Sequence, residues 1–590
     1  MINKSVTYYL FLLLIAVAQF SCKSKKGAVS PSSANSNTTT SVKTSKLSEK
    51  QQIEIAQNYI NASKEKMLGN IDKAAILYAQ CIKADPTNAA ALYELAGIYN
   101  FKRDVRNATV LAREAFKLDS KNEWYGLLLA ECYTKERKYS DAIKVYLTLL
   151  KSYPERLDFY ESLASLQLLS GKVDDAMKTY EKLELMLGVN ESISMQKLNL
   201  YKQLKQNDKI IEELNKLIAT FPNEPKYLGM LGETYMEKGM KEKALESYLQ
   251  VLKLDSTYGL VHLSLSDYYK TIKDEQKSFD ELKLAFKSEY IDIDNKIQLL
   301  LRFYYTSKDT DSVERTKNLE LCKILTELYP KDAKAHSVNG DFLNKYKQSK
   351  DARNAYRKAV ELDKEKFVLW SQLLILNSEL NDFDAMYKES TEAMELFPNQ
   401  PLPYLLKGIA AMQLGKSQEA VDVLKQGVTY VVDNKPMLGQ FYSSLGDAYN
   451  KVPDHKLSDE AYEKALSVDS NNVFVLNNYA YYLSLRNQDL ERAEQMSKRS
   501  NELAPNNDSY LDTYGWILYQ MKKYSDAQIW IEKAIQNGGA NNSVILEHYG
   551  DILYQLGKKD EALKYWKMAK DKGQGSDFLN KKVVDQKLYE

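Results

Sequence analysis

The sequence predicts an all-α chain, an α-solenoid of about fifteen helix-turn-helix pairs. Three observations predict it. The 590 residues repeat at an interval of 34: a small residue followed four later by an aromatic one recurs at Ala74 and Tyr78, Ala142 and Tyr146, Ala176 and Tyr180, and Ala244 and Tyr248. Prolines fall at one point of that interval, at Pro86, Pro154, Pro222, Pro330, Pro398 and Pro505, where a ring that cannot continue a helix marks its end. Apolar residues make up 44% of the chain, enough for an ordinary core. The several globular domains that such a length suggests are not needed when each repeat packs only on its neighbours.

From the N-terminus, residues 1–21 read as a secretory signal: Lys4, then an apolar run from Tyr8 to Ala18, too short to span a bilayer comfortably. Gln19, Phe20, Ser21 and Cys22 resemble a bacterial lipobox, with Gln19 departing from the usual aliphatic residue. The resemblance implies cleavage before Cys22 and a diacylglyceryl group on its sulfur. Relaxed boxes of this kind resemble those of Bacteroidetes-type bacteria. Residues 22–51 continue as a Ser-, Thr-, Asn- and Lys-rich stretch that cannot bury enough surface to offset its chain entropy, a disordered tether. No Asp follows Cys22 and no acidic tract follows it, so the sorting logic of the family favours the outer membrane and its periplasmic face.

Residues 52–572 carry the array. The small residue continues through Ala108, the larger Ile210, and Ser278, then less evenly at Ala352, Ala420, Ala527 and Ala562. Gly232, Gly446, Gly515 and Gly550 sit where a first helix must approach its partner closely, and Tyr and Trp fill the volume between pairs, which accounts for much of the 43 tyrosines. About six extra residues near Ser307 to Arg315, and about four near Val452 to Lys456, are expected in turns within a pair, where insertions are cheap. Leu231-Gly232-Glu233-Thr234-Tyr235, followed by Gly239, Ala244 and Tyr248, resembles the tetratricopeptide repeat (TPR), which implies a right-handed superhelix of helix pairs. Residues 573–590 end the chain, with Phe578, Leu579, Val583, Val584 and Leu588 at near-helical spacing, expected as a cap on the last repeat.

Chemistry is not legible. Lys plus Arg number 81 against 80 Asp plus Glu, so no general excess draws the chain to nucleic acid or anionic membrane. Cys81, Cys132 and Cys322 lack CxxC spacing and read as buried small side chains, and the four histidines stand in no metal-ligand spacing. Gly415-Lys416-Ser417 lacks the earlier glycine of a phosphate loop, because Ala410 stands there. Asp311-Ser312-Val313 resembles a short acceptor site for O-linked glycans. The expectation is a non-catalytic protein with no cofactor and no metal.

The resemblance to TPR proteins implies that the first helices line a concave groove. One track of it holds Glu131, Glu233, Asp267, Asp341, Asp447 and Asp551; another holds Asn100, Lys202, Lys270, Asn344, Asn450 and Tyr554. The carboxylate-clamp lysine of some relatives is absent. The last three repeats are richest, with Asn477, Tyr481, Asp512, Trp516, Tyr519, Gln520, Glu547, Asp551 and Tyr554 expected to share the groove as an exposed hot spot for a protein or peptide partner, core packing of some of these aromatics being the competing expectation. The expected function is a protein–protein scaffold or adaptor in the cell envelope, held to the membrane by its lipid alone. The alternatives are a periplasmic chaperone holding secreted or outer-membrane clients, an accessory subunit of an envelope enzyme, and a structural spacer.

Overall fold

A computed structural model describes residues 47–308, 310–573 and 575–589. The signal, Cys22 and nearly all of the tether therefore lie outside the described residues. Among the described residues the regular structure is helical: thirty-one α-helices, α1 (Glu49–Met67) to α31 (Leu579–Asp585), and one 3-10 turn at Gly539–Asn541. The first thirty form fifteen antiparallel pairs. The array opens at Glu49, where Ser48 and Gln51 make a reciprocal capping box.

The chain forms two compact units, one ending at Gly188 and one beginning at Val189. The first holds α1 to α8 (Val173–Leu187); the second holds α9 (Glu191–Gln203) to α31. Each is an α-solenoid stack whose pairs bury successive apolar clusters.

The pairs close because glycine removes a side chain at the crossing. In α11 (Pro225–Glu237) a Cβ on Gly232 would lie 2.3 Å from the ring of Tyr248 on α12 (Lys241–Leu254). Gly340 meets Tyr356, Gly446 meets Tyr462 and Gly550 meets Trp566 in the same way. The turn between the helices is usually three residues with the middle one left-handed, at Gly69, Gly171, Gly239, Gly415 and Gly557. The same place is taken by Arg103, Arg137, Lys205, Lys273, Lys347 and Lys522, where a basic side chain complements the carbonyl end of the preceding helix. Many of the connections to the next pair are capped by Asn or Asp; Asn88, Asn122, Asp332, Asn472 and Asn542 each accept a backbone N–H of the following first turn.

Two expectations about irregularities separate here. The first insertion does lie within a pair: residues 307–311 join α15 (Ile293–Thr306) to α16 (Ser312–Leu328), and α16 is longer than its counterparts. The second does not. The turn at 452–454 has the usual three residues; the extra length lies before it, in residues 429–434 and in the seventeen-residue α23 (Lys435–Lys451). A linker between pairs can lengthen without disturbing the crossing at Gly446, whereas the turn beside that crossing cannot.

Candidate functional site

The last three repeats place their predicted residues on α25 (Val473–Leu485), α27 (Asp508–Gln520) and α29 (Ser543–Gln555). The expected exposure is not found. Asn477, Asp512, Trp516, Tyr519, Glu547 and Asp551 are all buried, Trp516 at 9% and Asp551 at 2%, while Tyr481, Gln520 and Tyr554 are half-buried. The reason is stacking: the face that one first helix offers is covered by the next. The ring of Trp516 lies between Tyr519, at 4.7 Å, and His548 of the following repeat, at 4.0 Å, both nearly parallel. Tyr554 stacks on Trp566 at 5.6 Å. Two polar atoms in this region, Nε1 of Trp516 and Oδ1 of Asn477, are buried without a hydrogen-bond partner.

The charges here are satisfied from within. His548 Nδ1 lies 2.9 Å from Asp512; burial opposes its protonation, but the Asp512 carboxylate prevails and holds the imidazole above its ordinary value. After the last pair the chain turns back as α31 and inserts Lys582, whose Nζ donates to Glu547 at 2.9 Å and to Asp551 at 2.7 Å. Ser576 N–H donates to Glu547 at 2.7 Å, and Trp566 Nε1 donates to Asp551 at 2.8 Å. Burial pushes the Asp551 carboxyl up to about 6 in spite of Lys582. Glu547 is also pushed up by burial, yet Ser576 and Lys582 outweigh this and leave it below its usual value. The tail thus fills the end of the face that the sequence assigns to a partner, with Leu579 buried and Val583 and Leu588 packed on the last core, while Phe578 and Val584 are exposed.

The acidic track is spent in part in the same manner. Asp341 accepts from Tyr356, Asp447 from Tyr462 at 2.5 Å, and Asp551 from Trp566, each an aromatic on the second helix of its own pair. Burial raises Asp341 and Asp447 above the normal carboxylate range. Glu131 and Asp267 remain exposed.

An open cleft occurs instead where the repeat rule is broken. In the second unit a cavity of about 360 Å³ lies among α13 (Gly259–Thr271), α14 (Glu275–Lys287), α15 and α16. The α15/α16 pair exchanges its large and small residues. Leu300, fully buried, stands where most first helices carry glycine or alanine, and Cys322 stands where most second helices carry a larger residue; Leu374 and Ser390 make the same exchange in the pair of α19 (Phe367–Glu379) and α20 (Phe383–Leu396). Asn318 takes the small position and donates from Nδ2 to the Tyr346 hydroxyl at 2.9 Å, turning toward the next pair. The two helices lie loosely against each other, and the gap opens toward the preceding pair. Its floor is Phe279, Leu282, Leu299, Phe303 and Leu321. Its rim carries both signs: Lys270, Arg302 and Lys317 beside Asp267, Glu275 and Glu314. The Lys317 ammonium lies 5.3 Å over the Phe279 ring and 3.9 Å from Glu275. Arg302 and Lys270 have no ion pair among the described residues. Of the sequence-assigned groove residues, Asp267 and Lys270 lie here. The remaining lining was missed, although Leu300 and Cys322 in place of a small and a large residue were the readable signal.

The other singled-out motifs take structural places. Cys81, Cys132 and Cys322 are buried, and burial raises all three thiols, Cys132 to about 11. Gly415 is the left-handed turn residue between helices. Asp311 caps α16, accepting from the N–H groups of Val313 and Glu314 at 2.9 and 3.0 Å, and Ser312 is exposed. Among the described residues no group of three or more His, Cys, Asp or Glu is placed to hold a metal ion, and no helix is long and apolar enough to cross a membrane.

Comparison with known proteins follows the fold. Tetratricopeptide repeat families match residues 337–575, 127–185 and 225–258. The type IV pilus assembly protein PilF of Pseudomonas aeruginosa is 28% identical over 134 residues, 22% of this chain and 52% of that protein. The TPR repeat-containing protein MJ1428 of Methanocaldococcus jannaschii is 22% identical over 426 residues, 70% of this chain and 64% of that one. The chain thus spans about half the length of the pilus protein. A solved tetratricopeptide repeat protein from Parabacteroides merdae aligns with 43% of this chain and 98% of its own at 13% identity, with a TM-score of 0.36. The helix pairs of each unit, the glycine crossings and these repeat-family matches make the chain a tetratricopeptide repeat protein.

Proposed function

We propose that this chain is a non-catalytic scaffold of the cell envelope, anchored through a lipid on Cys22, that receives an extended segment of a partner protein in the α13–α16 cleft. The observation that carries the reading is the exchange of Leu300 and Cys322. Beside this pair lies a cavity with an apolar floor ringed by charged groups. Such a site suits a peptide with an apolar anchor flanked by charges of both signs; the anchor provides affinity and the rim sets register. The pilus protein's name, an assembly protein, supports a role in building a larger structure.

The test is a photo-crosslinking residue at Thr306, exposed on the cleft edge, in the full chain in its own cells. One dominant adduct, lost in Phe279→Ala and weakened in Arg302→Glu, supports the reading. A broad ladder of adducts insensitive to both variants replaces it with a chaperone that holds many clients. No adduct at Thr306, with one from a probe at Tyr554, moves the site to the last repeats. The anchor is read separately, by the mass of the mature N-terminus in wild type and in Cys22→Ser.

A further inference from the structure

The first unit places one edge of its repeats under unusual demand. The turns inside its four pairs fall at residues 67–70, 101–104, 135–138 and 169–172, at one register of the repeat. Successive turns are neighbours: Lys102 pairs with Asp72 of the preceding pair, and Lys135 Nζ donates to Asn100 at 2.8 Å. Arg103 and Arg106 share a surface cleft with Glu136 and Lys138.

These sixteen residues contain six Lys or Arg against two carboxylates, in a chain whose overall charge is +1. The connections at the other edge, residues 85–88, 119–122 and 153–156, contain two against three. Part of the positive charge is answered locally, since Lys138 pairs with Glu136. Arg103, Arg137 and Lys172 have no ion pair among the described residues. Arg103 and Arg137 have φ of 64° and 58°, in the left-handed place that Gly69 and Gly171 fill in the flanking pairs. A non-glycine residue there carries some backbone strain, and the cation also complements the carbonyl end of the preceding helix, as Lys205, Lys273, Lys347 and Lys522 do in the second unit.

Large apolar side chains stand among those cations and point into solvent: Met67 is 89% exposed, Leu68 64%, Phe101 77% and Leu169 59%. Apolar tips at turn apices, set in a basic field, match an anionic bilayer surface, where the tips enter the headgroup boundary while lysine and arginine meet phosphate. Nucleic acid and acidic protein would answer the charge but leave the aliphatic tips in water.

We infer that the within-pair turn edge of the first unit docks on an anionic lipid surface through Met67, Phe101 and Leu169, steered by Arg103, Arg137 and Lys172. The contact does not need the lipid on Cys22 and orients the unit with that edge facing the membrane.

The test uses the full mature chain as Cys22→Ser, so that no lipid contributes, and sedimentation with vesicles of phosphatidylglycerol and phosphatidylcholine in equal parts or of phosphatidylcholine alone. Binding to the anionic vesicles, weakened at high salt and at least roughly tenfold stronger than to neutral ones, is expected. Arg103→Gly with Arg137→Gly removes two charges while relieving backbone strain, and should reduce binding roughly tenfold or more. Phe101→Ser with Met67→Ser should reduce it to a similar extent. The inference is overturned by equal binding to both vesicles, by no binding to either, by capture of single-stranded DNA in place of vesicles, or by variants that bind as the parent does. A wild-type N-terminus without lipid would count against the anchor and leave this result untouched.

Discussion

Among the described residues Lys582 is the ion-pair partner of two deeply buried carboxylates, Glu547 at 3% and Asp551 at 2% exposure, so Lys582→Met is an informative perturbation. Methionine retains the bulk of the stem and removes the charge. Taking one partner from a buried ion pair costs about 3–5 kcal/mol, because the remaining charge is stranded. Asp551 has an escape. With its carboxyl at about 6 even beside Lys582, taking up a proton at pH 7.5 costs at most about 2 kcal/mol. Glu547 keeps the Ser576 N–H and hydroxyl. The net expectation is about 3 kcal/mol at pH 7.5 and less at pH 5.5, where Asp551 is largely protonated already. In a solenoid this loss stays near the altered repeat, so the assay is hydrogen exchange resolved along the chain. Amides of α31 and the facing α29 should exchange roughly 100-fold faster at pH 7.5, with the first unit unchanged. Unaltered exchange in α29 and α31, or an equal effect at both pH values, would refute the reasoning.

Further outcomes are expected from the same structure. The unaltered chain should hold α27 to α31 more firmly at pH 5.5 than at pH 8. Asp551 has its folded value raised from 3.8 to about 6, so the folded state binds more protons and stability falls as pH rises across that window. His548, raised above 6.5, contributes fully below that pH and loses its contribution as pH rises through its folded value. Greater protection at pH 8, after correction for intrinsic exchange, would contradict both. Trp516→Ala should cost about 3–5 kcal/mol locally, since the ring is sandwiched between Tyr519 and His548; undiminished protection of α27 and α29 would return Trp516 to the role of a surface anchor. Gly550→Val should lower stability by about 1–3 kcal/mol, because even its Cβ would lie 2.4 Å from Trp566. An unchanged urea midpoint would mean slack in that crossing. Leu300→Gly with Cys322→Tyr, which installs the pairing seen at Gly340 and Tyr356, should draw α15 and α16 together and weaken the Thr306 adduct; an adduct of unchanged yield would detach binding from the broken repeat.

The sequence alone determined the architecture, because a solenoid is a local code. Each pair depends on a small residue, a facing aromatic, a turn and a stop within 34 residues, and Gly232 with Tyr248 or Gly550 with Trp566 can be read without knowing any distant contact. It did not determine which polar groups face outward. Trp516, Asp512 and Asp551 stand at groove positions, and only stacking reveals that the next repeat and the returning tail cover them. Lys582 lies thirty-one residues from Asp551, in a tail with no repeat register, so nothing periodic announces that it ends between two carboxylates. The second insertion was misplaced for a related reason: composition shows that residues were added, while the preserved crossing decides where they can go. The cleft lies between these cases. Leu300 and Cys322 were legible as an exchange of large and small residues, but Leu374 and Ser390 make the same exchange, and only the tertiary structure showed that a space is left beside α15 and α16.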